Sequence, residues 1–294
     1  MTLPSQGEAL GAWAMWGAVT LAVLIAYSRL DATELYNVSH EGRAGGLSRA
    51  VVLLNFPIAL VAIAAALLAV AALPRMAWLV AGPAIALSAV VPFAVDQDDL
   101  DVRWVNAIPA VGVVLALSLT VAAAHRAGAS LAPRRAGDPL RLVAAALVLV
   151  FSLPWIAAEL GFHLPGDVFL GEELYREEDG RLFAAVHLGH HHGGDGTFLV
   201  LTALLLSRAR MRPGVLRTVF TSYLGAMFAY GAVNFVQDLW HEQVVKRGWT
   251  DVDIPSALLP GLRPIWLVII VLAALATMVL MREDEDDASD PAAA

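Results

Sequence analysis

Residues able to do chemistry gather in three stretches of a chain that is otherwise apolar. The richest reads Ala184-Ala-Val-His187-Leu-Gly-His190-His191-His192-Gly-Gly-Asp195-Gly. Read as a helix, with about 100° between successive residues, it puts His187, His190, His191 and Asp195 on one face and turns His192 away. His187 and His191 at i, i+4 have the spacing by which one helix offers two imidazoles to a single metal ion. Asp195 is a third ligand in this reading, or the carboxylate that fixes a histidine tautomer.

A second stretch carries Asn234, Asp238, His241 and Glu242 at i, i+4, i+7 and i+8, within one arc of a helix. Asp238 and His241 form an Asp-x-x-His pair, close to the Glu-x-x-His element of di-iron bundles. The third carries Glu159 and His163, again at i, i+4. Together the stretches predict a metal centre with His187, His191 and Asp238 as primary ligands. His190, Asp195, His241 and His163 supply the remainder or hold the ligands in place, and Glu159 or Glu242 serves as general base. Imidazole and carboxylate donors without thiolate fit iron, zinc or copper, whereas calcium wants more oxygen. Bis-histidine haem is the poorer fit because it leaves the carboxylates unexplained. The rival reading makes His190–Gly194 an exposed loop, with the helix starting near Thr197. His40 and His125 read as loop or interface residues, and Asp96–Asp101 as a solvated acidic loop.

The elements that must position these groups are membrane helices. Apolar residues make up 59% of the chain and charged residues 16%, against about 45–50% and 25% in globular domains. The excess lies in uncharged runs such as 10–27, 50–73, 77–95 and 264–281, each near the ~20 residues that cross a hydrocarbon core. Several such runs exclude a lone signal peptide. The reading is an all-α, polytopic transmembrane bundle of about eight helices, over 10–27, 50–73, 77–95, 105–124, 140–160, 184–208, 216–238 and 263–281. Trp13, Trp155, Trp240 and Trp266 fall near helix ends, where aromatic residues mark the membrane interface. Residues 1–282 form one transmembrane domain, and 283–294 an acidic, disordered cytoplasmic tail.

Arginine density sets the orientation. Arg126, Arg134, Arg135 and Arg141 occupy one connection and Arg208, Arg210, Arg212 and Arg217 another. Both belong to one side, read as cytoplasmic, with both termini there and the three chemistry-bearing stretches at the outer side of a cell membrane. The segment 28–49 dissents, since Arg29, Arg43 and Arg49 place three arginines on the outer side.

His187-x-x-His190-His191 resembles one histidine box of the membrane fatty-acid desaturases and hydroxylases, a match of five residues. That family needs further boxes and more histidines than the eight present. His187-x-x-x-His191 also resembles an element of the alkaline-ceramidase and adiponectin-receptor hydrolases, whose second serine/histidine/aspartate group has no counterpart here. The function expected is that of a membrane metalloprotein acting, by oxidation or hydrolysis, on a lipid or other apolar substrate in the bilayer. A non-catalytic subunit or assembly factor beside a membrane partner subunit is the alternative, and a transporter a third. Without cysteine there are no disulfides or thiolate sites. Lys246, the one lysine, lies in a polar loop, which excludes a retinal Schiff base. No basic stretch with interleaved aromatics suggests nucleic acid as a partner.

Overall fold

A computed structural model describes residues 3–35, 38–95, 99–176, 182–258 and 263–289. It is a helical bundle, as the apolar runs require. In a hydrocarbon solvent each backbone N–H and C=O must be bonded within its own segment, and the helix achieves that.

Five single segments are long and apolar enough to cross a membrane. They are α1 (Gly7–Tyr27), the run Arg75–Ala94 containing α4 (Trp78–Ser88) and α5 (Val91–Ala94), α6 (Ala107–Ala127), α10 (Val215–Trp240) and α11 (Pro264–Ser289). Two bent pairs, each counted as one broken span, bring the candidate spans to seven. Helices α2 (Gly42–Asn55) and α3 (Ile58–Ala72) meet at 44°, and α7 (Asp138–Phe151) and α8 (Leu153–Glu159) at 58°. Proline follows each break, at Pro57 and Pro154, where the missing N–H interrupts the helical ladder. The eighth expected helix is the shorter α9 (His192–Leu206), buried along much of its length.

The core sits around α3, which is buried on nearly every side and carries alanine at eight of its positions, including Ala59, Ala62, Ala64 and Ala66. Small side chains let neighbouring helices approach closely, which is how membrane helices gain packing energy. Side-chain bonds then pin the bundle. Trp16 Nε1 donates to Thr202 Oγ1 of α9 (2.9 Å), Trp13 Nε1 to Thr120 Oγ1 of α6 (3.1 Å), and Tyr223 Oη to the Leu60 carbonyl of α3 (2.8 Å). Helices α9 and α10 approach closely through a pair of glycines. A Cβ on Gly196 would lie 2.5 Å from the Gly231 carbonyl oxygen, and one on Gly231 would lie 2.7 Å from that of Gly196.

Several expectations change. The helix expected over 184–208 begins only at His192, because the preceding residues are held by other backbone bonds. Strands β1 (Leu174–Arg176) and β2 (Leu182–Ala184) form an antiparallel hairpin, Ala185 and Val186 bond back to Glu173 and Gly171, and Gly189 N–H bonds to the Ala158 carbonyl. The helix α11 continues past the expected break after Met281 to Ser289, a stretch with no glycine or proline to stop it. Residues 290–294 of the expected tail lie outside the described residues. Trp155, expected at the interface, is buried.

The bundle has two polar ends. At one, the two arginine-bearing connections meet: Arg208 donates to the Ala132 carbonyl and Arg135 to the Ser207 carbonyl, both at 2.9 Å. The chain start joins them, with Gln6 N–H bonded to the Gly128 carbonyl and Glu8 accepting from Ala132 N–H (2.7 Å). At the other end lie the histidines.

Candidate metal centre

His191 is the last extended residue before α9, with φ −133° and ψ 130°, and its carbonyl accepts from Asp195 N–H to open the helix. His190 comes from the extended segment, His192 and Asp195 from the first helical turn. This corner brings the three together: one ligand atom from each of His190, His192 and Asp195 lies within 4.8 Å of the others. Ligand atoms around a tetrahedral ion sit roughly 3.4 Å apart at metal–nitrogen distances near 2.1 Å, so the triad needs a modest contraction to close on one ion. His192, which the helical projection turned away, therefore belongs to the cluster. The projection failed because it treated His187–His191 as helical.

The glycines of His192-Gly-Gly-Asp195-Gly make the corner possible. A Cβ on Gly193 would fall 2.6 Å from the Trp155 ring and 2.7 Å from Asp238 Cβ. Gly193 N–H instead donates to Asp238 Oδ2 (2.6 Å), which ties the start of α9 to the end of α10.

Two buried ionic groupings flank the triad. On one side Arg49 of α2, 1% exposed, reaches Glu159 Oε1 through Nε (3.1 Å) and Nη2 (2.6 Å), and Tyr27 Oη donates to Glu159 Oε2 (3.1 Å). Arg49 Nη2 also lies 2.9 Å from His190 Nδ1 and 3.9 Å from Asp195 Oδ1. A guanidinium only donates, so His190 accepts at Nδ1 and carries its proton at Nε2. Burial, with Arg49 next, pushes the His190 pKa well below the usual histidine value, so the ring is neutral.

On the other side His191 Nδ1 faces Glu242 Oε1 at 2.9 Å and its Nε2 faces the His187 carbonyl at 2.9 Å. Trp155 Nε1 donates to the second Glu242 oxygen. Burial acts against charge on His191, but the Glu242 carboxylate beside it outweighs that and raises its pKa. Each ring nitrogen of His191 thus faces an oxygen of the protein, Nδ1 the Glu242 carboxylate and Nε2 the His187 carbonyl. His187 stacks on it at 4.2 Å between ring centroids, and burial followed by His191 lowers the His187 pKa. Neither histidine of the expected i, i+4 pair is among the three residues whose ligand atoms converge. A cavity of about 20 Å³, lined by Val19, Trp155, Glu159, His191, Asp195 and Phe198, opens beside these groups. It is about the size of one water molecule.

The remaining expected residues are placed elsewhere. His241 opens a wide turn, His241–Val245, in which Lys246 N–H bonds back to the His241 carbonyl. That turn leaves Glu242 buried while His241, 38% exposed, pairs with Asp253 at 2.6 Å. His163 follows Gly161, whose φ of +86° ends α8, so the i, i+4 relation to Glu159 is not helical; its side chain packs near Gly171 instead.

Arg49, Tyr27 and His192 were not singled out from sequence. Arg49 did leave a signal as one of the three arginines that contradicted the assigned side. It is a buried helical residue paired with Glu159, not a loop charge.

Asp195 Oδ2 and Arg49 Nη1 are buried without a hydrogen-bond partner. The first is an acceptor that suits a cation; the second is a donor that suits an oxygen. Comparison with known protein families, characterised proteins and solved structures finds no match for this chain.

Proposed function

We propose that this is an integral membrane metalloprotein that holds a transition metal ion, iron, zinc or copper, at His190, His192 and Asp195, and uses it in an oxidative or hydrolytic reaction on an oxygen-bearing, membrane-associated substrate. The observation that carries the reading is the triad, with His190 and Asp195 buried, His192 half-buried, and an Asp195 oxygen that has no hydrogen-bond partner. A buried carboxylate oxygen without a partner is expensive, and a metal ion removes that penalty. Binding at His190 takes Nδ1 in place of the Arg49 contact. The released guanidinium, with Nη1 already lacking an acceptor, is then free to hold a substrate oxygen. Glu159 is fixed by two arginine bonds, which makes it a poor base. Proton handling falls to the His191–Glu242 pair.

Both polar ends are charged, but the helical stretches between them carry no Asp, Glu, Lys or Arg, as in 196–206 and 218–237. A path for ions through the membrane would place such groups at depth, so transport is not favoured. A non-catalytic role keeps one observation in its favour: the Arg49–Glu159 and His191–Glu242–Trp155 groupings join α2 and α8 to the segments that enter α9 and leave α10.

The test is elemental analysis of the purified full-length protein after reconstitution with iron, zinc or copper. About one equivalent is expected, falling below about a tenth in H190A/H192A and persisting in H187A/H191A. The reverse pattern would restore the i, i+4 pair as the ligands. Wild-type protein without metal after reconstitution would leave only the structural clasp.

A further inference from the structure

The opposite end of the bundle carries a binding site of different chemistry. Helix α7 is anchored there at its start. Arg141 Nε donates to Ser207 Oγ (2.9 Å), and Asp138 takes Arg141 and Arg208 at 3.4 Å each. Beyond this anchor α7 stands clear of its neighbours, with Leu142, Val143, Leu147 and Val150 exposed. A groove remains along each flank. One, about 620 Å³, runs between α7 and the helices α9, α10 and α11; the other, about 560 Å³, lies between α7 and α9 on the far side. Arg141 and Leu204 line both.

The walls are apolar and the ends are cationic. The first groove reaches Arg282 and the second Arg134 and Arg208. Setting aside Arg282, whose chain neighbours Glu283 and Asp284 are acidic, three guanidiniums stand against the single carboxylate of Asp138. Arg208 Nε is buried and has no hydrogen-bond acceptor. From Gly137 to Ala145 the lining rises about 12 Å along the helix, close to the ~15 Å depth of one leaflet's hydrocarbon. Basic clefts between membrane helices select anionic head groups, and the outer apolar faces of α7 and α11 lack such a cluster.

We propose that one anionic diacyl phospholipid sits astride α7, its phosphate at Arg134, Arg141 and Arg208 and one acyl chain in each groove. This site is independent of the metal reading.

The full-length protein is incubated in detergent with equal phosphatidylglycerol and phosphatidylcholine, washed, and weighed intact by native mass spectrometry. About one phosphatidylglycerol per chain should remain, preferred by roughly 10-fold or more, the scale of one to two arginines facing an anionic head group. R134Q/R208Q should reduce the preference to about 2-fold or less. A276W, which fills the first groove without altering charge, should reduce the lipid retained. Unfolding midpoints in lipid-free detergent identify any variant that has lost its fold, and A276W decides if the double variant has. Equal retention of the two lipids by wild type would overturn the proposal. So would an unchanged preference in R134Q/R208Q, or unchanged retention in A276W. A lipid-free dimer would assign the grooves to a second copy of the chain.

Discussion

The two ends of the bundle solve the same problem in opposite ways. At the histidine end the charges are enclosed: Arg49, His190, His191, Asp195 and Glu242 are each 6% exposed or less. At the arginine end Arg141 is buried at the root of two open grooves, and Arg134 and Arg282 are exposed. Enclosure suits a small ligand such as a metal ion, because each desolvated group must be satisfied nearby. An open, cationic rim suits a ligand that brings its own apolar body, since the grooves supply the walls and the arginines the head-group site. The position of charge along a helix thus says less about function than whether neighbouring helices close over it.

The largest effect expected from this contrast is at Arg49. Arg49→Met leaves the buried Asp195 and the half-buried Glu159 without their cation, and removing one partner of a buried ion pair costs about 3–5 kcal/mol. The unfolding midpoint in detergent should fall sharply, and the double variant Arg49→Met/Glu159→Leu should recover part of the loss. A midpoint unchanged in Arg49→Met would show that this end is not enclosed. Next comes Gly196→Ala, whose Cβ would meet the Gly231 carbonyl at 2.5 Å. Overpacking of this kind costs about 1–3 kcal/mol. It should also lower metal occupancy, since the bond from Gly193 N–H to Asp238 of α10, which holds the corner carrying the triad, spans the two helices being pushed apart. Lipid preference at the far end should stay as in wild type. A change there too would mean the two ends are coupled.

How much of this the sequence disclosed follows the same contrast. The spans were legible because a bilayer demands long uncharged runs, and breaks such as those before Pro57 and Pro154 left the runs themselves intact. The arginine end was legible as a cluster because its residues are close together in two short connections. The histidine end was legible in composition but not in geometry. Helical spacing grouped His187 with His191 and dismissed His192, because nothing local in Phe183-Ala-Ala-Val-His187 reveals that β2 and Gly189 hold it extended. The same arithmetic joined His163 to Glu159 and His241 to Asp238 across positions where α8 ends and where the last turn of α10 widens. Arg49 came from a helix some 110 residues away from Glu159, and no spacing rule reaches that far.

The smallest effect tests what enclosure itself contributes, using an ion pair on the rim of the histidine end. Asp101 accepts from Ser39 N–H and lies 2.9 Å from His40 Nδ1, with the histidine side chain 53% exposed. Burial acts to raise the Asp101 carboxyl, but hydrogen bonds from Ser39 and His40 outweigh it and hold its pKa below the usual value. A carboxyl with a depressed folded pKa stabilises above its unfolded value, about 3.9, and that contribution is lost as pH falls through the folded pKa. Exposed pairs of this kind contribute roughly 0.2–1 kcal/mol. Asp101→Asn should therefore shift the unfolding midpoint at neutral pH only slightly, far less than Arg49→Met, and the difference from wild type should vanish in acid. A loss comparable to that of Arg49→Met would mean that the rim, too, is closed over, and that the enclosed region extends to the connection joining α5 to α6.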